Sequence, residues 1–454
     1  MKKAVFQILF CFSLLVFLPV SDANASLRFV PPFPDTVLIE MYELNEYGVS
    51  NGLLCNSFST SFGFTAFCDD LISSCVSTNN PIPYPYFSNP IYAPIETYYL
   101  LDVVSQEMNP SLYPEQIALH AQAIASRSYL GWVINNDSQI LNNSASRQVF
   151  IPFKFDSLNL TTSPLEPSNS LPCSSSGLNG SQELVCQAVS SHYYIAREYN
   201  NPANLPAFSE FTADVFAQTQ NHPELSRFPY LAGVVDPIST ACDANNFGSN
   251  LAGLSQEGAN RWVRGHECSR LYAPVIPGND PGDTWSVRWN SVQQVLFHYY
   301  TDVHLRDASG NLLSASYRWN PLQITGIPVI PNSGSIYSIY LQIQNVGTEE
   351  FVCDFPYVSY SLKYRWNKTG HTEVISSTGM NLCGLGEGKA QGETLSLQVP
   401  SWGPGPYTLD FDVYAYTPYT SYSSFWFSDF NWPAYQLRLC VDEPCKVHFP
   451  MVAR

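Results

Sequence analysis

Charge is scarce in this chain of 454 residues, and positive charge most of all. Only 13% of the residues are charged, and 21 lysines and arginines face 38 aspartates and glutamates, which gives a formal net charge of -17. A polyanion would be repelled by this field, so we expect no nucleic-acid partner. Since 45% of the residues are hydrophobic, the chain can bury large cores, and the composition excludes a disordered protein.

The sequence has one long apolar run, which lies at the N-terminus. Lys2 and Lys3 precede an apolar stretch over residues 4–20, and Ala23-Asn24-Ala25 follows as a small-x-small cleavage site. This pattern predicts a signal peptide over residues 1–25 and a secreted, cell-surface or wall-associated protein. The alternative, an N-terminal membrane anchor, is disfavoured because the run is short for a spanning helix. No membrane span is expected after the signal peptide is removed.

Close metal-binding spacings of cysteine and histidine are also lacking. The twelve cysteines include Cys11 in the leader, and in an oxidising compartment the others should mostly form disulfides. Their proximity favours the pairs Cys173–Cys186, Cys242–Cys268, Cys353–Cys383 and Cys440–Cys445, while Cys55, Cys68 and Cys75 would give one more bridge and one free thiol. A metal site from His222, Cys242, His266 and Cys268 is the less favoured alternative. We therefore expect neither a metal nor a cofactor.

Helical periodicity is confined to the part of the chain before about residue 310. The clearest helix is predicted over residues 115–133, after Pro114, with a face of small residues that would let another backbone approach closely. Further helices are predicted over 255–263 and 291–300, and residues 183–196 are helical or strand-like. One strand is predicted earlier, over residues 36–41.

Alternating apolar and polar residues replace the helical pattern in the last third of the chain. Residues 338–344 and 407–413 show period-two alternation between glycine and proline turns, which is typical of a β-sandwich. The expected fold class is α+β, a mixed catalytic domain followed by an all-β sandwich with its own core. The predicted division is a segment over 26–95 packing on a domain over 96–308, a linker over 309–320, a sandwich over 321–447 and a tail over 448–454.

Three sequence blocks follow one another in the middle of the chain. The first block contains Glu107-Met108, Pro114-Glu115 and residues 118–129. The second block covers residues 253–259 and is preceded by Phe228-Pro229-Tyr230-Leu231. The third block covers residues 295–303. In this order they resemble the stage II sporulation protein D family, also described as an amidase-enhancer domain. His120 and Ser128 stand where that family usually has lysine and threonine. The family's Ser-Gly-Gly segment is missing near residues 205–220, where some relatives bind zinc.

The resemblance implies a lytic transglycosylase, which cuts between N-acetylmuramic acid and N-acetylglucosamine in peptidoglycan and leaves an anhydro sugar. It places the catalytic acid at Glu107, which would need an apolar setting to stay protonated near neutral pH. Val103, Val104, Met108 and Leu112 could provide one. The matching motif positions also make substrate-binding candidates of Gln122, Arg127, Ser255 and Gln256.

Each of these residues also has a structural interpretation. A glutamate before a helix is usually a solvated or capping carboxylate, Arg127 could form a structural ion pair, and the polar candidates could satisfy buried backbone groups. Two other function classes remain open. One is a wall-binding protein without catalysis that enhances a separate cell-wall amidase, and the other is an adhesion or structural surface protein. Trp366 is expected in the core of the sandwich. The sandwich itself is similar to immunoglobulin-like accessory modules.

Overall fold

The structure is a computed structural model, and the residues it describes are 33–44, 49–54, 90–136, 140–152, 154–159, 172–174, 177–197, 205–213, 217–240, 252–265, 285–313, 317–417 and 424–444. The predicted signal peptide and the Cys242–Cys268 pair lie outside these residues. Within the described part of the chain, no helix combines the length and the apolar character needed to cross a membrane.

The helices lie in the first two thirds of the described chain. They are α1 (Leu100–Glu107), α2 (Gln116–Asn136), α3 (Lys154–Ser157), α4 (Gly180–Val189), α5 (Pro237–Thr240), α6 (Gln256–Arg264) and α7 (Val292–Tyr299). A π-helical turn, Ile95–Tyr99, leads into α1. The predicted helices over 115–133, 255–263 and 291–300 are confirmed as α2, α6 and α7. The ambiguous segment over 183–196 contains the end of α4 and then a short strand.

Helix α2 is the centre of the first domain, and α1, α4, α6, α7 and a strand pack against it. Ala118, Ala121 and Ala125 are fully buried, so the small face predicted from the sequence does admit close neighbours. Ser128 connects α2 to the strand Tyr194–Ala196, because its Oγ accepts a hydrogen bond from the Ile195 N–H at 2.7 Å. The same Oγ donates to the Ile124 carbonyl at 2.6 Å.

Short strands surround these helices. They are β1 (Thr36–Glu40), β2 (Tyr42–Leu44), β3 (Ser50–Leu54), β4 (Ile91–Pro94), β5 (Ile140–Asn142), β6 (Tyr194–Ala196), β7 (Phe211–Thr212), β8 (Leu254–Ser255) and β9 (His304–Arg306). Strand β1, predicted from the sequence, pairs antiparallel with β4 and parallel with β5. The parallel pair β7 and β8 leads directly into α6.

The C-terminal part is built from strands, as the alternation predicts. They are β10 (Trp319–Thr325), β11 (Ile336–Asn345), β12 (Ser359–Asn367), β13 (Val374–Ile375), β14 (Met380–Asn381), β15 (Ala390–Gln398), β16 (Gly405–Tyr416), β17 (Phe425–Trp426) and β18 (Tyr435–Val441). One sheet has the order β10-β11-β15, and the other is built around β12 and β16. Trp366 is fully buried, as expected. The α+β class is confirmed.

The two parts are joined more closely than a linker over 309–320 implies. Trp319 already belongs to β10, and Arg318, Trp319 and Asn320 are fully buried. The Trp289 indole N–H donates to the Pro321 carbonyl at 3.0 Å, and the Arg318 guanidinium lies 3.8 Å from the centre of the Phe297 ring. The end of the predicted linker is therefore part of the packed structure, because large side chains of the first domain are covered by the first strand of the second.

Two of the predicted disulfides are confirmed. Cys173–Cys186 ties the segment before α4 to that helix, and Cys353–Cys383 joins two connections within the β-rich part. Cys440 is also disulfide-bonded, while its predicted partner Cys445 lies outside the described residues. Paired cysteines are compatible with a secreted or cell-surface protein.

Candidate active site

Glu107 is the last residue of α1, and local sequence explains why the helix ends there. Pro110 disfavours a helical conformation at Asn109, and the chain leaves the helix at Met108, whose φ and ψ are -131° and 83°. The Glu107 carboxyl therefore lies at the negative end of the helix dipole, which disfavours its ionised form. Val103, Val104 and Met108 are fully buried, as expected for an apolar setting, but Leu112 is 46% exposed and does not contribute to a buried wall.

The Glu107 carboxyl is held at both oxygens and remains partly accessible. Its Oε1 accepts a hydrogen bond from the Val149 backbone N–H at 2.9 Å, and its Oε2 lies 3.4 Å from the Gln256 side-chain nitrogen. Burial raises the pKa of Glu107 to about 7, although the two hydrogen bonds act in the opposite direction. A large fraction of the carboxyl thus carries a proton at neutral pH, which a general acid requires.

Gln256 reaches Glu107 because the second sequence block builds a tight entry into α6. The Ser255 Oγ caps the helix by accepting from the Gly258 N–H at 2.9 Å, which makes Gln256 the first helical residue. Gly253 has a φ of +81°, and a Cβ there would collide with the Glu210 carbonyl. A Cβ at Gly258 would collide with the Tyr299 hydroxyl. The glycines of the motif are therefore explained by close approach, and Ser255 by capping.

A chain of amide hydrogen bonds extends from Glu107 into α2. The Gln256 Nε2 also donates to the Gln122 Oε1 at 3.2 Å, and the Gln122 Nε2 donates to the Ser126 Oγ at 3.0 Å. Both glutamines are fully buried, and the Gln256 Oε1 has no hydrogen-bond partner among the described residues. These hydrogen bonds fix the Gln256 side chain beside the Glu107 carboxyl.

Arg127 forms an ion pair with Glu96. Its Nε and Nη2 donate to the two oxygens of Glu96 at 2.8 and 2.7 Å, and its remaining donors reach the Tyr193 and Val189 carbonyls. Burial raises the pKa of Glu96, but the charge and hydrogen bonds of Arg127 outweigh it and lower that pKa to about 2. These contacts form a bidentate ion pair that joins α2 to neighbouring segments, which is the structural interpretation of Arg127; its role in substrate binding stays a prediction.

A second carboxyl with a raised pKa lies on the segment before β7. Burial raises the pKa of Glu210 to about 7, and its Oε1 is 3.5 Å from the His222 Nε2. In the described part of the chain, no group of three or more histidine, cysteine, aspartate or glutamate side chains is arranged to hold a metal. Cys242, His266 and Cys268 lie outside the described residues.

The structure thus brings Glu107, Gln122 and Gln256 together and assigns structural contacts to Arg127 and Ser255. Sequence reasoning missed three contributors: the Val149 N–H, Glu96 as the partner of Arg127, and Gln148, whose side chain accepts from the Tyr99 hydroxyl and donates to the Ser126 carbonyl. A backbone donor leaves no residue-type signal. Glu96 and Gln148 lie outside the recognised blocks, so the motif did not mark them.

Comparison with protein families supports the resemblance over part of the chain. Residues 91–161 match the model of the SpoIID family, described as Stage II sporulation protein. The matched segment contains Glu107, Gln122 and Arg127 and ends before Ser255 and Gln256. No curated protein matches the chain.

Solved structures show only distant similarity. The CARDB domain of a Pyrococcus furiosus protein is 12% identical, with 28% of this chain and 97% of that chain covered and a TM-score of 0.17. A beta-glucosidase from Listeria innocua is 8% identical, with 38% and 19% covered and a TM-score of 0.17. The ApaA protein from Bordetella pertussis is 12% identical, with 29% and 100% covered and the same TM-score. At such scores these similarities do not inform fold or function.

Proposed function

We propose that this chain is a secreted lytic transglycosylase that cleaves the glycan strands of peptidoglycan, with Glu107 as its single acid and base. The observation that carries the proposal is the Glu107 carboxyl, which is partly accessible, fixed by the Val149 N–H and protonated in large part at neutral pH because its pKa is about 7. The SpoIID match over residues 91–161, which contains this residue, supports a role in the cell wall.

The reaction needs one proton donor that later takes a proton back. Glu107 donates its proton to the glycosidic oxygen, and the bond between that oxygen and C1 of N-acetylmuramic acid breaks to give an oxocarbenium-like centre. The resulting carboxylate accepts the proton of the same sugar's 6-hydroxyl while O6 bonds to C1. The products are a 1,6-anhydro-muramyl end and a new N-acetylglucosamine end, and Glu107 is protonated again.

The arrangement around Glu107 fits this single-carboxyl scheme. A hydrolase would need a second carboxyl about 5–5.5 Å or 6.5–9.5 Å away, whereas here the sugar's own hydroxyl replaces water. The hydrogen-bond partners of Glu107 among the described residues are the Val149 N–H and the Gln256 amide. Because the Val149 nitrogen lies closer to Oε1, at 2.9 Å, than the Gln256 nitrogen lies to Oε2, at 3.4 Å, we assign the transferred proton to Oε2. Gln256 is a positioning residue that holds the carboxyl, and Gln122 fixes the Gln256 side chain.

The decisive experiment compares the mature protein with its Glu107→Gln variant on purified glycan strands, intact or stripped of stem peptides. Glutamine is nearly isosteric but cannot shuttle a proton, so we expect anhydro-muramyl products from the parent protein and a loss of at least 100-fold in the variant. Products are identified by mass spectrometry, and circular dichroism verifies the fold.

Glu387→Gln is the matched control, because burial also raises the pKa of Glu387 to about 7 but this residue lies in the β-rich part. Full activity of folded Glu107→Gln would remove Glu107 from the mechanism. If neither protein forms anhydro products but both accelerate a separate amidase on the same glycan, the amidase-enhancer function is the correct one.

A further inference from the structure

A concave site lies at the C-terminal end of α2. It is a cavity of about 220 Å³ lined by aromatic rings and two arginines, among them Trp132, Arg197, Arg227, Phe228 and Tyr230. We call it the Arg197–Arg227 pocket. Ten residues of helix separate Gln122, beside Glu107, from Trp132, which corresponds to about 15 Å along the axis. The pocket is therefore distinct from the candidate active site.

The two guanidinium groups lie against aromatic faces. The Arg197 guanidinium carbon is 5.7 Å from the centre of the Tyr230 ring, and its Nη1 donates to the Arg227 carbonyl at 3.3 Å. The Arg227 guanidinium carbon lies 5.5 Å from the Trp132 ring and 5.0 Å from the Phe228 ring. These contacts place both planar cations at the pocket, and a guanidinium can bind a carboxylate through two parallel hydrogen bonds.

Among the described residues, the two arginines of the pocket differ in their ion pairs. Arg227 pairs with Glu224 at 3.2 Å, whereas no carboxylate of the described residues pairs with Arg197. A ligand with one negative charge would balance the charge of Arg197. A phosphate dianion would carry more negative charge and would be repelled by the carboxylate of Glu224. In a chain with a net charge of -17, a concave site of positive sign is unusual, since the overall field repels anions.

We propose that the Arg197–Arg227 pocket binds one sugar ring that carries a carboxylate. Trp132, which is partly exposed, offers an apolar surface to the ring of the sugar, and Arg197 takes the carboxylate. The cavity is smaller than the 300–1,000 Å³ that is usual for drug-sized ligands, which limits the occupant to about one ring. The ligand is either a free sugar acid or the muramic acid of a glycan, and these share this chemistry.

The test is a binding measurement that needs no turnover. Calorimetry on the mature protein compares two pairs of probes: glucuronate with glucose, and N-acetylmuramic acid with N-acetylglucosamine, which lacks the lactyl carboxylate. We expect each acid to bind at least tenfold more tightly than its neutral partner, because a hydrogen bond to a charged group is involved. The acid that binds more tightly identifies the source of the ligand: glucuronate indicates a free sugar acid, and N-acetylmuramic acid indicates the glycan. The proposal does not depend on glycan cleavage, and Glu107→Gln should bind the acids unchanged.

Arg197→Gln should lower the affinity for both acids about tenfold and leave the neutral sugars unaffected. Arg438→Gln is the matched control, because Arg438 is an exposed arginine on β18, and its removal changes the net charge equally. Arg227→Gln, at a side chain that is 57% exposed, replaces Arg197→Gln if that variant does not fold. The proposal fails if the acids do not bind, if neutral sugars bind equally well, or if the folded pocket variant keeps full affinity.

Discussion

Burial and the end of helix α1 act on Glu107 in the same direction. Both disfavour the ionised carboxyl, and the hydrogen bonds from the Val149 N–H and Gln256 recover only part of that cost, so the pKa of Glu107 is raised to about 7. The acid form is the one that starts the proposed reaction. Its population, and not the amount of folded protein, should therefore control the rate near neutral pH.

The expected consequence is a falling alkaline limb in the pH dependence of kcat/KM. As the pH rises through about 7, the protonated fraction of Glu107 drops, and kcat/KM should fall about tenfold for each further pH unit. Initial rates of anhydro-product release between pH 5 and pH 9 measure this limb, with circular dichroism at each pH to confirm that the protein stays folded. A rate that is constant up to pH 9 would contradict the assignment of Glu107 as the acid.

Arg127 should matter for stability more than for substrate binding. Its replacement by glutamine leaves the Glu96 carboxylate without its bidentate partner, and we expect a loss of about 3 kcal/mol in the free energy of unfolding, at the low end for a broken buried pair because Glu96 is 31% exposed. Urea denaturation at pH 7 measures the loss, with Arg438→Gln as the control. A folded Arg127→Gln protein with normal stability and a raised KM would return Arg127 to the substrate site.

The pH dependence of this loss follows from the depressed pKa of Glu96. Its value is about 2 in the folded protein and near 4.5 when the chain is unfolded, so the ion pair stabilises the fold fully above pH 4.5 and less as the pH falls toward 2. The difference between the parent protein and Arg127→Gln should therefore shrink below pH 4.

At the scale of elements, α2 depends on small side chains and on one buried hydroxyl. The Ser128 Oγ satisfies the N–H of Ile195 in β6, and both residues are fully buried. Ser128→Ala should leave that N–H unsatisfied and cost about 1–3 kcal/mol of stability. Urea denaturation gives the loss, and hydrogen exchange should show a weakened Ile195 amide.

Ser128→Thr is the control, because threonine keeps the hydroxyl and should lose less than Ser128→Ala. Equal losses in the two variants would show that packing at α2, and not the hydrogen bond, determines the cost.

At the scale of the whole molecule, side chains of the two parts of the chain contact one another across the junction. Besides the contacts of Trp289 and Arg318, the His298 Nδ1 lies 2.6 Å from the Gln344 Oε1, and the Trp285 indole N–H donates to the Leu322 carbonyl at 3.0 Å. His298 and Gln344 are buried. The helical part therefore packs one of its faces against β10 and β11.

We expect a chain that ends after Asp307 to be unstable, although the change of sequence period near residue 310 predicts a separate core. The truncation exposes Trp289 and Phe297, both fully buried in the intact chain. Solubility and cooperative thermal unfolding of the truncated protein measure the effect. A second truncation that keeps β10 and β11, ending after Asn345, should recover part of the lost solubility. A soluble, cooperatively folded and active chain ending at Asp307 would contradict this expectation and support the predicted boundary.

The sequence by itself determined those features that depend on neighbours along the chain. Helix α2 and the alternation of β11 and β16 follow from local periodicity, and the structure shows them where the sequence predicts them. Glu107 was identified by its place in a motif, since a lone glutamate at a helix end carries no catalytic signal of its own.

Only the tertiary structure decided which side chains meet. Gln256 lies 149 residues from Glu107, and Glu96 lies 31 residues before Arg127, so neither pairing leaves a local pattern. The packing of the helical part against β10 likewise leaves no local pattern, because it consists of indole and guanidinium contacts across the junction. Sequence periodicity reports which face of an element is apolar. Which other element covers that face is decided by packing of the complete chain.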